Sequence, residues 1–196
     1  MKYRLLILVS GSVLALGACK QNSTNNVSAE STNNYSTEST NNVSTESTNN
    51  TAAQAPLTSQ NFVNAAAASD KFEIESSKLA ATQASSSSVK SFATKMISAH
   101  SASTAKLKST VAGMSPPMTP DDTLSADQQS TLDNLKTLKG ADFDKAYASA
   151  QVDAHQKALD ALNGYASSGD NAKLKDFASG LVPTVTAHLN MAKALK

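Results

Sequence analysis

Apolar residues recur at helical spacing between Leu57 and Lys196, and this pattern predicts an all-α fold. Four long helices are predicted, roughly over residues 58–84, 87–113, 141–167 and 170–194. Short turns separate the first helix from the second and the third from the fourth, whereas a long connection joins the two pairs. Two helical hairpins joined in this way predict a four-helix bundle.

Polar and small residues predict where these helices begin and end. Gly169 is expected to end the third long helix, and Asp170 is expected to open the fourth. The long connection runs from Met114 to Gly140 and contains the sequence SADQQSTLDNLKTL. Ser125 is a favourable N-cap residue, so a short helix is predicted within the connection.

The first 18 residues have the pattern of a signal peptide: Lys2 and Arg4, then an apolar run, then small residues. The apolar run is shorter than the roughly 20 residues that a membrane span needs. Leu16-Gly17-Ala18-Cys19 resembles the lipobox of bacterial lipoproteins, in which the cysteine is lipid-modified and the chain is cut before it. An ordinary secretory signal with an incidental cysteine is the alternative.

Cys19 is therefore expected to be lipidated and to anchor the protein, because several acyl chains hold a protein on a membrane almost permanently. The next residue is Lys20 rather than aspartate, which resembles the pattern sorted to the outer membrane in Gram-negative bacteria. In such a host, the expected location is the cell envelope, on the outer membrane and facing the periplasm.

Residues 19–56 are expected to form a disordered tether after the lipidated cysteine. Near-copies of the octet STNNVSTE follow one another from Ser23 to Asn50 and offer almost no apolar side chain to bury. A coil of this length spans on the order of 35 Å. The chain is thus divided into a signal peptide (1–18), a lipidated tether (19–56) and a helical domain (57–196).

The charge balance argues against a nucleic-acid partner. The chain has 17 basic and 16 acidic residues and a formal net charge of +1, so no strong field attracts a polyanion. The sequence contains no tryptophan to stack on bases. No nucleophile constellation, phosphate loop or zinc-protease motif appears, so an enzyme is the least supported class.

All three histidines fall on predicted inward faces, each on a different long helix. His100, His155 and His188 lie on the apolar stripes of the second, third and fourth helices, and Glu73 lies on that of the first. One inward histidine is usually a core residue with a hydrogen-bond partner. Three histidines with an inward carboxylate instead favour a transition-metal site for zinc, iron, copper or manganese.

The predicted depths of these residues differ. Counted from an end of the bundle that carries both tight turns, Glu73, His100 and His155 share one layer. His188 is expected to lie roughly 6 to 10 Å outside that layer, unless Pro183 changes the path of its helix. Glu75 falls nearer the edge of the apolar stripe than Glu73, so Glu73 is the predicted ligand.

Four sequence blocks resemble the bacterial family known as domain of unknown function 4142, whose members are described as outer-membrane or exported proteins. The blocks are FVNAAAASDKFEIESSKLA, VKSFATKMISAHSASTAKLK, FDKAYASAQVDAHQKAL and LKDFASGLVPTVTAHLNMAKAL, and they carry Glu73, Glu75, His100, His155, Pro183 and His188. The resemblance implies a ferritin-like four-helix bundle with no established activity. Members commonly have aspartate directly before the histidines of the second and third helices, whereas this chain has Ala99 and Ala154.

The Glu-x-x-His pattern of di-iron ferritins is absent, because Ile97, Val152 and Val185 stand three residues before the histidines. Two function classes stay open besides an enzyme. One is a metal-binding module of the envelope, and the other is a helical adaptor that contacts another envelope protein without metal.

Overall fold

A computed structural model describes residues 58–195, and this part of the chain forms five helices. They are α1 (Ser59–Gln83), α2 (Ser87–Ala112), α3 (Ala126–Thr137), α4 (Gly140–Ser168) and α5 (Ala172–Lys193). Their bounds agree with the predicted ones to within about two residues, and the predicted all-α fold is confirmed. The predicted signal peptide, Cys19 and the tether lie outside the described residues. Among residues 58–195, no helix has the length and apolar character to span a membrane.

Side-chain caps fix where most of the helices begin. Thr58, Ser86 and Asn171 each accept a hydrogen bond from a backbone N–H in the first turn of α1, α2 and α5, respectively. Ser125 opens α3 as predicted, in a reciprocal capping box with Gln128. These caps satisfy N–H groups that a helix leaves unpaired at its start, which is why the polar residues mark the boundaries.

The prediction that Asp170 opens the last helix is wrong, because Asn171 is the cap. The Asp170 carboxylate instead accepts hydrogen bonds from the Ser59 hydroxyl at 2.6 Å and from the Tyr165 hydroxyl at 2.7 Å. Asp170 therefore ties the start of α1 to the turn between α4 and α5.

The connection between the hairpins runs along the bundle, so the two tight turns lie at opposite ends. The α1–α2 turn meets the start of α4, where Ala84 and Gly140 form a backbone bridge. At the other end, the start of α1 meets the α4–α5 turn through Ser59 and Asp170. Two antiparallel hairpins with one long crossover make this a ferritin-like four-helix bundle.

Two apolar clusters fill the bundle, and a polar layer separates them. One cluster includes Phe62, Leu107 and Phe177, and the other includes Phe92, Met96 and Phe143. On each long helix, buried polar residues lie between the parts that enter the two clusters: Asp70, Glu73, Ser76, Ser77, His100, Gln151, His155 and His188. Burial of polar groups costs free energy unless they have partners, so this polar layer is the candidate functional site.

Candidate metal centre

The three histidines converge in the polar layer. One ring nitrogen from each of His100, His155 and His188 lies within 4.8 Å of the other two. The ring centroids are 5.5 to 5.7 Å apart, and no histidine is more than 7% exposed. The depth prediction for His188 is therefore wrong, because its ring lies beside the other two rather than outside their layer.

Two features of the fold differ from the assumptions of the depth count. The crossover places the two tight turns at opposite ends of the bundle rather than at one end. Side chains also lean toward the N-terminus of their own helix, and α4 and α5 are antiparallel, so the rings of His155 and His188 lean toward each other along the bundle. Helix α5 runs through Pro183 without interruption.

His100 is held by an aspartate that the sequence analysis did not identify. Its Nδ1 lies 2.8 Å from Oδ1 of Asp70, and Asp70 is itself only 5% exposed. The Thr104 hydroxyl contacts the other carboxylate oxygen at 3.1 Å. A carboxylate bonded to one ring nitrogen fixes the orientation of the imidazole and directs the second nitrogen toward a metal.

His155 is held in the same way by a backbone carbonyl. Its Nδ1 donates to the carbonyl oxygen of Gln151, one turn earlier in α4, at 2.8 Å. The carboxylate of Glu73 lies 3.6 Å from the same nitrogen, too far for a hydrogen bond. Glu73 therefore lies beside the histidines and contacts His155, but it is not among the three residues whose ligand atoms converge.

The remaining ring nitrogens are buried without partners. Within residues 58–195, Nε2 of His100, Nε2 of His155 and Nδ1 of His188 have no hydrogen-bond partner. Oε2 of Glu73 and Oε1 of Gln151 are also unpaired. Buried polar atoms nearly always have partners, so five such atoms in one layer mark a place for a bound ion or ordered water.

The spacing of the nitrogens suits one metal ion after a small contraction. Bonds of 2.0 to 2.1 Å from zinc to imidazole place tetrahedral donor atoms about 3.4 Å apart. Nitrogens within 4.8 Å of one another must therefore approach by roughly 1 Å or less for each ring.

The electrostatics of the centre keep two histidines neutral. Burial lowers the pKa of His155 to about 4, and burial together with the charge of His100 lowers the pKa of His188 to about 4. Burial also acts to lower the pKa of His100, but the hydrogen bond to Asp70 and the charge of Glu73 raise it above its usual value. Neutral imidazole is the form that binds a metal.

Glu73 is the predicted inward carboxylate, and it is 1% exposed, whereas Glu75 is half-buried. Burial raises the pKa of Glu73 to about 7, and the charge of His100 acts against this rise. A carboxyl group with a pKa of about 7 can lose its proton when a cation binds beside it.

The spacing of residues in the sequence points to two further residues of the centre. Asp70 lies three residues before Glu73, so the two side chains lie on the same side of α1. Gln151 lies four residues before His155, the spacing of neighbours on one helix face. Their roles depend on individual hydrogen bonds, which periodicity does not report.

The fold and the site define a ferritin-like four-helix bundle with a buried three-histidine centre. The chain belongs to the family described as domain of unknown function (DUF4142), whose sequence profile matches residues 44–195. No curated protein sequence matches the chain significantly.

Solved structures of CopM have the same fold. CopM in the Cu(II)-bound form is 15% identical with a TM-score of 0.59, and the match covers 70% of this chain and 95% of that one. CopM in the Cu(I)-bound form is 16% identical with a TM-score of 0.58, over 70% and 94% of the two chains. CopM in a silver-bound form has a TM-score of 0.55 at 16% identity, over the same shares.

Proposed function

We propose that this protein binds one transition-metal ion, with copper as the preferred metal, through His100, His155 and His188. The observation that carries the proposal is the convergence of three buried histidines, each of which has a ring nitrogen without a hydrogen-bond partner. Asp70 and the Gln151 carbonyl each bond to Nδ1 of one ring, which leaves Nε2 of His100 and Nε2 of His155 available to a metal. A buried nitrogen without a partner costs stability, and a bound metal ion removes this cost.

The donor set favours copper among the candidate metals. Imidazole nitrogen suits zinc, copper, iron and nickel, and affinities of such sites for divalent ions rise to a maximum at Cu²⁺. CopM shares the fold and is named in its structures as bound to Cu(II), Cu(I) and silver. Manganese prefers oxygen ligands, so three imidazoles disfavour it.

Copper titration with a stability readout tests the proposal. The full chain carrying Cys19→Ser, which removes the single thiol of the sequence, should bind one copper ion and melt at a higher temperature with copper present. At a ligand concentration 100 times Kd, the stabilisation is about 2.7 kcal/mol. Zinc serves as the comparison metal. A melting temperature that neither metal changes would favour the adaptor alternative.

Replacement of Asp70 by asparagine should weaken copper binding by about 10-fold to 100-fold. The variant keeps the size of the side chain but removes the negative charge. In the wild type this charge orients the His100 ring and favours a cation bound to it. Isothermal titration gives the affinity, and the electron paramagnetic resonance spectrum of Cu(II) reports whether the ligand geometry has changed. Asp160→Asn, an exposed acid on α4, is the matched control and should bind copper like the wild type.

We further propose that the protein is a lipoprotein of the cell envelope, anchored through Cys19 on the outer membrane with its helical domain in the periplasm. The support is the lipobox-like sequence Leu16-Gly17-Ala18-Cys19 and the polar repeat that follows it. In this position the helical domain binds copper ions that enter the envelope and holds them close to the membrane.

The Cys19→Ser substitution should move the protein from the membrane fraction to the soluble envelope fraction, since it removes the acylated thiol. Immunoblots of separated fractions measure this change. Ser23→Ala, in the adjacent repeat, should leave the protein in the membrane fraction. A Cys19→Ser variant that stays with the membrane and keeps wild-type mobility would contradict the anchor.

A further inference from the structure

A cavity of about 780 Å³ opens into the bundle beside the three-histidine centre. Residues from all five helices line it, and His100 and His188 form part of its wall, together with Asp70. The cavity is open to solvent on the side of the crossover, where the exposed Asp121, Ser125 and Asp127 line it. Its volume is within the range of small-molecule sites.

Alanines line this space on α1 and α4. Ala66 faces the cavity from α1, and Ala150, Ala154 and Ala158 face it from α4. Their short side chains leave a gap where larger residues would close the interface between the two helices. Exposed polar residues, including Asp153 and Lys157, lie on the same wall nearer the solvent.

The buried part of the wall is mainly apolar, and among the buried residues that line the cavity only Asp70, His100 and His188 are polar. Phe62, Leu162 and Val185 are buried residues that line the cavity. The unpartnered nitrogens of the buried His100 and His188 belong to side chains at the same cavity. An apolar pocket with a few convergent polar groups is the usual form of a ligand site.

We infer that this cavity admits a second ligand to the bound metal: an uncharged, mostly apolar organic molecule with one nitrogen or sulfur donor. This inference rests on the proposed function, because three histidines leave an open position on a four-coordinate metal. Alanine and aromatic side chains accommodate the apolar body of such a molecule. The apolar part of the wall favours an uncharged molecule, because a charged group would lose its hydration there without a partner.

The test uses 4-phenylimidazole as the probe, since it joins an apolar ring to one uncharged nitrogen donor. It is titrated into the copper(II)-loaded full chain carrying Cys19→Ser, while the visible d–d absorption of the copper is recorded. Copper retained after desalting is measured at the end, to separate binding of the probe from removal of the metal. Ala158→Leu fills the cavity, and Ala105→Leu makes the same change at an exposed position on α2.

The expected result is a saturable shift of the copper absorption with the metal retained. Ala158→Leu should weaken this response at least tenfold, and Ala105→Leu should not change it. If Ala158→Leu fails to fold or to hold copper, Ala150→Leu takes its place in the comparison.

Three outcomes overturn the inference. Copper absorption that does not respond to the probe, or a response equally strong in the filled variants, refutes the second ligand but leaves the three-histidine centre intact. A protein that binds no copper refutes the proposed function and this inference together.

Discussion

Replacing His188 with glutamine should weaken copper binding by more than about 100-fold, because loss of an outer-shell partner alone typically costs 10-fold to 100-fold. His188 supplies one of three converging nitrogens, and its Nδ1 has no other partner among the described residues. Isothermal titration of the chain carrying Cys19→Ser measures the loss. Asn190→Gln places the same side chain at an exposed position on α5 and should bind copper like the wild type.

This substitution separates three accounts of the histidines. If His188 lay outside the layer of Glu73, His100 and His155, His188→Gln would bind copper normally, and Glu73→Gln would show the large loss. If the histidines are only structural, the wild type does not respond to copper, and His188→Gln lowers the melting temperature because a packed ring is lost. The three-histidine centre requires both a response of the wild type and its loss in the variant.

Glu73→Gln should stabilise the metal-free protein at pH 8 by up to about 3 kcal/mol, with little effect at pH 4.5. The pKa of Glu73 is raised from 4.5 to about 7, mainly by burial. The folded state therefore binds this proton more tightly than the unfolded state, and the wild type loses stability as the pH rises from 4.5 to 7. Glutamine has no proton to lose, so the variant avoids this loss.

Urea denaturation of both proteins at pH 4.5 and pH 8, without metal, measures the difference. Glu75→Gln is the matched control, since Glu75 is half-buried two residues away, and it should change the free energy of unfolding by less than about 0.5 kcal/mol. A Glu73→Gln variant that is less stable than the wild type at pH 8 would contradict the raised pKa.

The two neutral histidines change stability in the opposite direction over a similar pH range. Their pKa values are lowered to about 4 in the folded state, so protons favour the unfolded state between pH 4 and 6.5. Stability from His155 and His188 therefore rises with pH in this window. Comparison of the variant with the wild type at each pH cancels this contribution and leaves the effect of Glu73.

The helices were predictable from the sequence because local signals determine them. Ser125 caps α3 in the structure as its position before an amphipathic segment predicts, and the long helices follow the apolar periodicity. The inward positions of His100, His155 and His188 were predictable for the same reason, since an angle on a helix depends only on spacing. Asp170 was misassigned because two adjacent polar residues are equally suitable as caps.

The joint position of the histidines was not predictable from spacing alone. The depth of the His188 ring depends on the path of the crossover and on the direction in which each side chain leans along the bundle, which the periodicity of the helices does not record. The bond from His100 to Asp70 connects residues 30 positions apart on different helices, so no local pattern reports it. The cavity depends on which alanines face one another across α1 and α4, and this also follows from tertiary packing.

The most direct test of the central claim is anomalous diffraction at the copper edge from crystals of the copper-loaded protein. The account predicts one strong peak in the polar layer, about 2.0 Å from one ring nitrogen of each of His100, His155 and His188. Because Nδ1 of His100 is bonded to Asp70 and Nδ1 of His155 to Gln151, the Nε2 atoms should be the ligands from those two residues. Copper peaks only at other sites, with the three rings free of metal, would contradict the account.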